Sequence, residues 1–130
     1  EEARERAKAE GSAQTGRVYD SAMYLADHLH EVPVHVIPCI EGAAPTNRSA
    51  GFFASIYPAV WSFQLALRAR GLGTVLTTLH LLKEEKAAKL LGIPEGITQC
   101  ALLPVAYTIG TEFKPALRPD PETIIHWDKW

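Results

Sequence analysis

Residues 97–109, ITQCALLPVAYTI, are apolar on both alternating faces, bounded by Pro94-Glu95-Gly96 upstream and Gly110 downstream. The pattern predicts a buried strand with a disruption at Pro104, because proline cannot donate to a ladder. Upstream, residues 83–91 alternate apolar and charged side chains at helical spacing, and Gly92 stops them. Residues 74–78, TVLTT, read as extended. Residues 55–70, SIYPAVWSFQLALRAR, predict a helix capped by Ser55, with Pro58 tolerated in its first turn and Gly71 supplying the left-handed stop. Ile56, Val60, Trp61, Phe63, Leu65 and Leu67 make that helix apolar nearly all round, which predicts a central position.

Further outward, residues 41–51 read as a loop by their Gly, Pro and Asn content. Residues 32–40, VPVHVIPCI, predict an interior strand whose regular part Pro33 and Pro38 confine to about 34–37. In residues 19–30, Ala22, Met23, Leu25, Ala26 and Leu29 share one helical face, with Asp20 or Ser21 as N-cap. Residues 11–17 are small and polar, a loop; residues 1–10 are charged almost all round, a solvated helix. Beyond Gly110, Pro115, Pro119 and Pro121 punctuate an extended tail that closes on Ile124, Ile125 and Trp127. Such a tail reads as an arm that packs elsewhere, a partner subunit included. Helices and strands without an internal repeat, in 130 residues, predict one α+β domain over residues 1–130.

A hydrophobic fraction of 47% and a charged fraction of 22% exclude a largely disordered chain. A chain of this length usually buries roughly two-thirds of its unfolded surface. The net charge of −2 and the lack of any basic cluster among aromatics argue against a nucleic-acid partner. No apolar run approaches the ~20 residues of a membrane span, and no basic segment precedes an apolar one as in a secretory signal. Cys39 and Cys100 each lie in an apolar run, which reads as two reduced core thiols in the cytoplasm, although one disulfide is also open to them.

The five histidines form no metal signature, since His28 and His30 point to different faces of a helix. No serine occupies a Gly-x-Ser-x-Gly elbow. Gly71-Leu72-Gly73 follows a helix instead of a strand, so it reads as a helix stop and not as a dinucleotide fingerprint. Lys114 and Arg118, four apart in a proline-stiffened loop, suit a grip on one phosphate; taken alone they read as solvated surface charge.

Ser55-Ile56-Tyr57-Pro58 opening an apolar helix, LRARGLGT at residues 67–74, and Thr77-Thr78-Leu79-His80-Leu81 together resemble the nitroreductase family of FMN-dependent oxidoreductases. The tail, with Arg118-Pro119 and the closing His126-Trp127-Asp128-Lys129-Trp130, is similar to a bacterial branch of that family. The resemblance runs from about residue 19 to residue 130. It implies an α/β sandwich around a mostly antiparallel sheet, and a homodimer with exchanged C-terminal arms and two FMN sites at the interface. Ser55, Ile56, Tyr57 and Pro58 would approach the flavin from the partner subunit. Thr77, Thr78, Leu79 and His80 would lie near its N5, and Arg118 with Lys114 would bind the phosphate.

NAD(P)H as donor and a nitroaromatic, quinone or similar small molecule as acceptor follow from the same resemblance, in a ping-pong cycle that needs no catalytic acid or base from the chain. Two departures stand beside it. The family begins with an Arg/Ser-rich phosphate-binding segment, a helix and a Pro/Asn-containing loop, which this sequence lacks, and Trp61-Ser62 stands where many relatives carry Gln-Asn. Alternatives are a truncated or degenerate dimeric relative with weak or no flavin binding, and a small-ligand-binding module without redox function.

Overall fold

The computed structural model describes residues 13–44, 49–110, 112–115 and 118–130. The expected helix over residues 1–10 lies outside them. Helix α1 spans Ala13–His28 and passes into a 3-10 turn at Leu29–Glu31. It therefore takes in residues 13–17, expected as a loop, and Asp20 and Ser21 are interior to it and not caps. Its apolar face is poorly covered, with Val18, Met23 and Tyr24 exposed.

The apolar run at residues 32–40 forms two short strands, β1 (Val34–Val36) and β2 (Cys39–Glu41). Among the described residues β1 lies at an edge, not in the interior, because the three-stranded sheet runs β1-β5-β3 and β5 (Leu103–Tyr107) is its centre. β2 pairs with β4 (Ile97–Gln99) in a second, two-stranded sheet, and every ladder is antiparallel. Val36 faces Leu103 and Cys39 faces Gln99, so two residues of one strand oppose three of the other, Cys100 to Leu102. This is a β-bulge, held by Cys100 N donating to Pro38 O at 2.9 Å.

Pro104 sits inside β5, so the expected disruption is one-sided. Against β1 the pairing runs through it, opposite His35. On the other side β3 (Leu72–Thr74) pairs up to Val105, and Thr77 exchanges both backbone hydrogen bonds with Leu102 in the same register. Val75 therefore falls opposite Pro104 at a hydrogen-bonding position where proline has no N–H to give, and the strand breaks there. β3 thus begins at Leu72, two residues earlier than expected, and takes in most of the Gly-Leu-Gly stop.

Residues 49–51, expected as loop, belong to helix α2 (Ser49–Ala54). A turn at Ser55–Ile56 separates it from α3 (Tyr57–Arg68). Ser55 does not cap α3: its Oγ donates to Phe52 O at 2.7 Å and closes α2, because a hydroxyl one residue past a helix end is within reach of that helix's free carbonyls. Pro58 does stand in the first turn of α3, and Gly71 takes φ +76° beyond its end. The segment Ser49–Arg68 is 20 residues long and apolar enough by composition to cross a membrane, contrary to the sequence reading.

After β3, a 3-10 turn (Leu79–Lys83) leads into α4 (Glu84–Leu91), which Gly92 ends at φ +67° as expected. In the tail, Asp120 Oδ1 accepts from Glu122 N at 3.0 Å and caps a 3-10 turn at Pro121–Thr123.

Among the described residues the buried apolar ones are Val60, Cys100, Ala101, Leu103 and Val105, and Val36, Ile56 and Tyr57 pack against the cluster of Val60, Ala101 and Leu103. Val60 is the fully buried residue of α3, a burial worth roughly 1.5–3 kcal/mol. Trp61, at 63% exposure, and Leu65 remain uncovered, so α3 is not central within a single chain.

Candidate functional site

The bulge at Cys100–Leu102 is where the sequence motifs meet. Tyr57, at the start of α3, donates its hydroxyl to Cys100 O at 3.2 Å, and Ile56 beside it packs on the core. From the other side, Thr77 donates through N and Oγ1 to Leu102 O at 3.0 and 3.1 Å and accepts from Leu102 N at 2.8 Å. A bulge turns its carbonyls out of the ladder, so it offers acceptors to elements outside the sheet. The aromatic ring of Phe53 stacks on Tyr57 at 5.8 Å and extends the apolar wall.

His80 follows three residues after Thr77. Both of its ring nitrogens are buried without a hydrogen-bond partner, as is Thr74 Oγ1. Burial holds the His80 pKa below the ordinary imidazole value, against the upward pull of the Glu84 carboxylate, so the neutral ring is favoured. Thr78 and Leu79 lie in the same loop and are exposed, Leu79 at 75%. Ser55 and Pro58 are also exposed, and Pro58 O accepts from Ser62 Oγ at 3.0 Å.

Lys114 and Arg118 are exposed on the tail and pair with no other described residue. The tail's start is nonetheless fixed, because the Arg68 guanidinium lies 4.6 Å from the centre of the Phe113 ring. The structure thus brings Ile56, Tyr57 and Thr77 together around one bulge and places His80 in the following turn. It leaves Ser55, Pro58, Thr78, Leu79, Lys114 and Arg118 on the surface.

Two polar residues escaped the sequence reading. Gln99 is only 1% exposed, and it donates twice to Glu84: from N to Glu84 Oε1 at 2.9 Å, and from Nε2 to Glu84 O at 3.0 Å. An amide side chain inside an apolar strand, Ile97-Thr98-Gln99-Cys100-Ala101, was the available signal.

Cys100 is buried and Cys39 exposed; both are free. Burial raises both thiol pKa values, and Glu84 adds to the effect, so neither supports a thiolate nucleophile at neutral pH. Among the described residues no group of His, Cys, Asp and Glu is arranged to hold a metal. A cleft of about 450 Å³ lined by Leu81–Lys86 lies over the start of α4; one continuous segment supplies its whole lining, so it is a surface depression and not a built pocket.

The nitroreductase family model matches residues 1–107. The match starts earlier than the motifs suggested and stops before Lys114 and Arg118. No curated protein matches the chain. Among solved structures, the chain is similar to a nitroreductase-like family protein from Bacillus cereus, with a TM-score of 0.62 at 19% identity. The alignment covers 90% of this chain and 59% of that one, so this chain spans well under two-thirds of its relative's length. That likeness shows the expected mixed fold with antiparallel sheets. With the family model matching most of its length, the chain belongs to the nitroreductase family.

Proposed function

We propose that this chain forms an FMN-dependent NAD(P)H oxidoreductase acting on nitroaromatic, quinone or similar acceptors, as a homodimer in the cytoplasm. The observation that carries the reading is the half-buried His80, whose two ring nitrogens have no partner, in the loop that Thr77 ties to the Cys100–Leu102 bulge, within a nitroreductase fold. A neutral imidazole donates from one nitrogen and accepts at the other, which suits the acceptor and donor edge of a flavin ring. Lys114 and Arg118 supply cations for a phosphate monoester, and Tyr57 and Phe53 an apolar wall.

Bound FMN would supply the two-electron redox chemistry linking NAD(P)H to the acceptor. The chain's part is to bind, orient and exclude water. His80, held neutral by its burial, adds no full positive charge to the site.

Dimerisation is supported by apolar side chains that lie exposed among the described residues: Trp61 and Leu65 on α3, and Ile124, Ile125 and Trp127 on the tail. Exchange of the tails between subunits would cover both sets of residues.

The test is the colour of the purified protein. A chain that takes up FMN and whose visible flavin band bleaches with NADH or NADPH under anaerobic conditions has the proposed activity. A chain that stays colourless after incubation with FMN is a relative without the cofactor, and the enzymatic reading falls.

A further inference from the structure

We propose that Glu84 and Gln99 are positioning residues, a two-point clamp that holds the loop carrying Thr78, Leu79 and His80 against the sheet. The inference rests on the flavin reading for what the loop does, but not for how it is held. Glu84 is the first residue of α4, directly after the 3-10 turn Leu79–Lys83, and lies four residues beyond His80. Its carboxylate accepts from the backbone of Gln99 and its backbone carbonyl accepts from the Gln99 side chain, at 2.9 and 3.0 Å. Gln99 donates both bonds, one from its backbone and one from its side chain, and two points of attachment fix both the place and the rotation of Glu84, which a single bond would not. Gln99 is itself rooted in the β2–β4 ladder opposite Cys39.

The consequence is that the short segment from the end of β4 through the bulge, Gln99 to Leu102, holds three parts of the candidate site. Gln99 holds the His80 turn through Glu84, Cys100 holds Tyr57, and Leu102 holds Thr77. A merely structural contact at position 99 would be served at lower cost by an aliphatic side chain, because Gln99 Oε1 remains buried and without a partner. The clamp also sets the electrostatics of the loop: the Glu84 carboxylate acts on His80 and on both thiols, Cys39 and Cys100.

The experiment compares the full chain with Glu84→Ala, Glu84→Gln and Gln99→Met. Amide hydrogen exchange, measured without FMN, reads the loop directly. FMN titration followed by the flavin absorption spectrum reads its effect on the site. Glu84→Ala is expected to speed exchange at Leu81, whose N–H bonds Thr78 O, by about tenfold or more, the scale of one lost charge-assisted bond. The Thr77–Leu102 pair should stay slow. FMN affinity should fall by a similar factor with a shifted flavin spectrum. Glu84→Gln keeps an acceptor oxygen and should restore most of both effects. Gln99→Met conserves volume and the backbone bond, and should fall between wild type and Glu84→Ala, which keeps the test open if the alanine variant unfolds.

Wild-type exchange at Leu81 in both Glu84→Ala and Gln99→Met overturns the clamp. So does a Glu84→Gln variant no better than Glu84→Ala, which would make Glu84 a charge and not an anchor. Faster exchange with unchanged FMN affinity and spectrum would make the pair structural only, and the positioning role would fall. A wild-type chain that takes up no FMN defeats the flavin reading, and the exchange data then decide the clamp alone.

Discussion

Replacing Tyr57 with Phe removes a single hydroxyl and leaves the ring in place against Val60, Leu103 and Phe53. The lost bond is the 3.2 Å contact to Cys100 O, which joins α3 to the bulge across 43 residues of chain. A hydrogen bond of this kind contributes about 0.5–1.5 kcal/mol net, and a carbonyl left unpaired in a buried setting costs about 1–3 kcal/mol. Cys100 has no exposed surface, so the cost lies where the upper part of the first range meets the lower part of the second, and we expect a loss of about 1–2 kcal/mol. For a chain of this length that corresponds to a melting temperature lower by roughly 3–8 °C. Tyr57→Ala also removes the ring and should cost about 3–5 kcal/mol. Thermal and urea denaturation at one fixed protein concentration read both, since a dimer's midpoint moves with concentration. A Tyr57→Phe variant within about 0.5 kcal/mol of wild type, the range of a neutral surface change, would refute the argument that this hydroxyl ties the motif to the bulge.

Arg118→Ala should weaken FMN binding by about 1.5–3 kcal/mol, the scale of a hydrogen bond to a charged group; unchanged affinity in a titration would leave Arg118 a surface charge. At Gly73 an added Cβ would run into Thr108 Cγ2, and Thr108 is held by its Oγ1 bond to Gly110 O, so Gly73→Ala should cost about 1–3 kcal/mol. Adding Thr108→Ser, which deletes the methyl and keeps the hydroxyl, should recover most of it; no recovery would put the strain elsewhere. Because the His80 pKa is lowered in the fold, its contribution is fully present above the unfolded imidazole value of about 6.5 and is lost as pH falls through the folded one. Urea midpoints should therefore fall more steeply with acid below about pH 6.5 in wild type than in His80→Leu, and parallel profiles would contradict this. Cutting the chain after Pro121 removes Ile124, Ile125 and Trp127 and should yield monomer or aggregate in sedimentation; a stable dimer without the tail would show the arm to be dispensable.

Signals carried by one residue's own backbone were legible in the sequence. Gly92 and Gly71 end their helices in the left-handed conformation that only glycine adopts cheaply, and Pro104 interrupts a ladder because it has no N–H. What the sequence could not tell is which neighbour each element meets. Residues 32–40 look like an interior strand, yet among the described residues β1 is an edge, because apolarity on both faces does not say which strands pair beside it. Ser55 fits an N-cap by type, but the preceding helix α2 captures its hydroxyl first. The candidate site shows the same division. Ile56, Tyr57, Thr77 and His80 stood out as motif residues, whereas Glu84 and Gln99 matter only through a contact 15 residues apart that no local pattern encodes.

Sedimentation of the full chain with added FMN, followed at both protein and flavin absorbance, decides whether the chain is a dimeric flavoprotein. Flavin and protein should move together as a dimer, in equal numbers of FMN and chains, and NADH or NADPH should bleach the moving boundary. Flavin left behind as a free small molecule, with the protein sedimenting colourless, would contradict this.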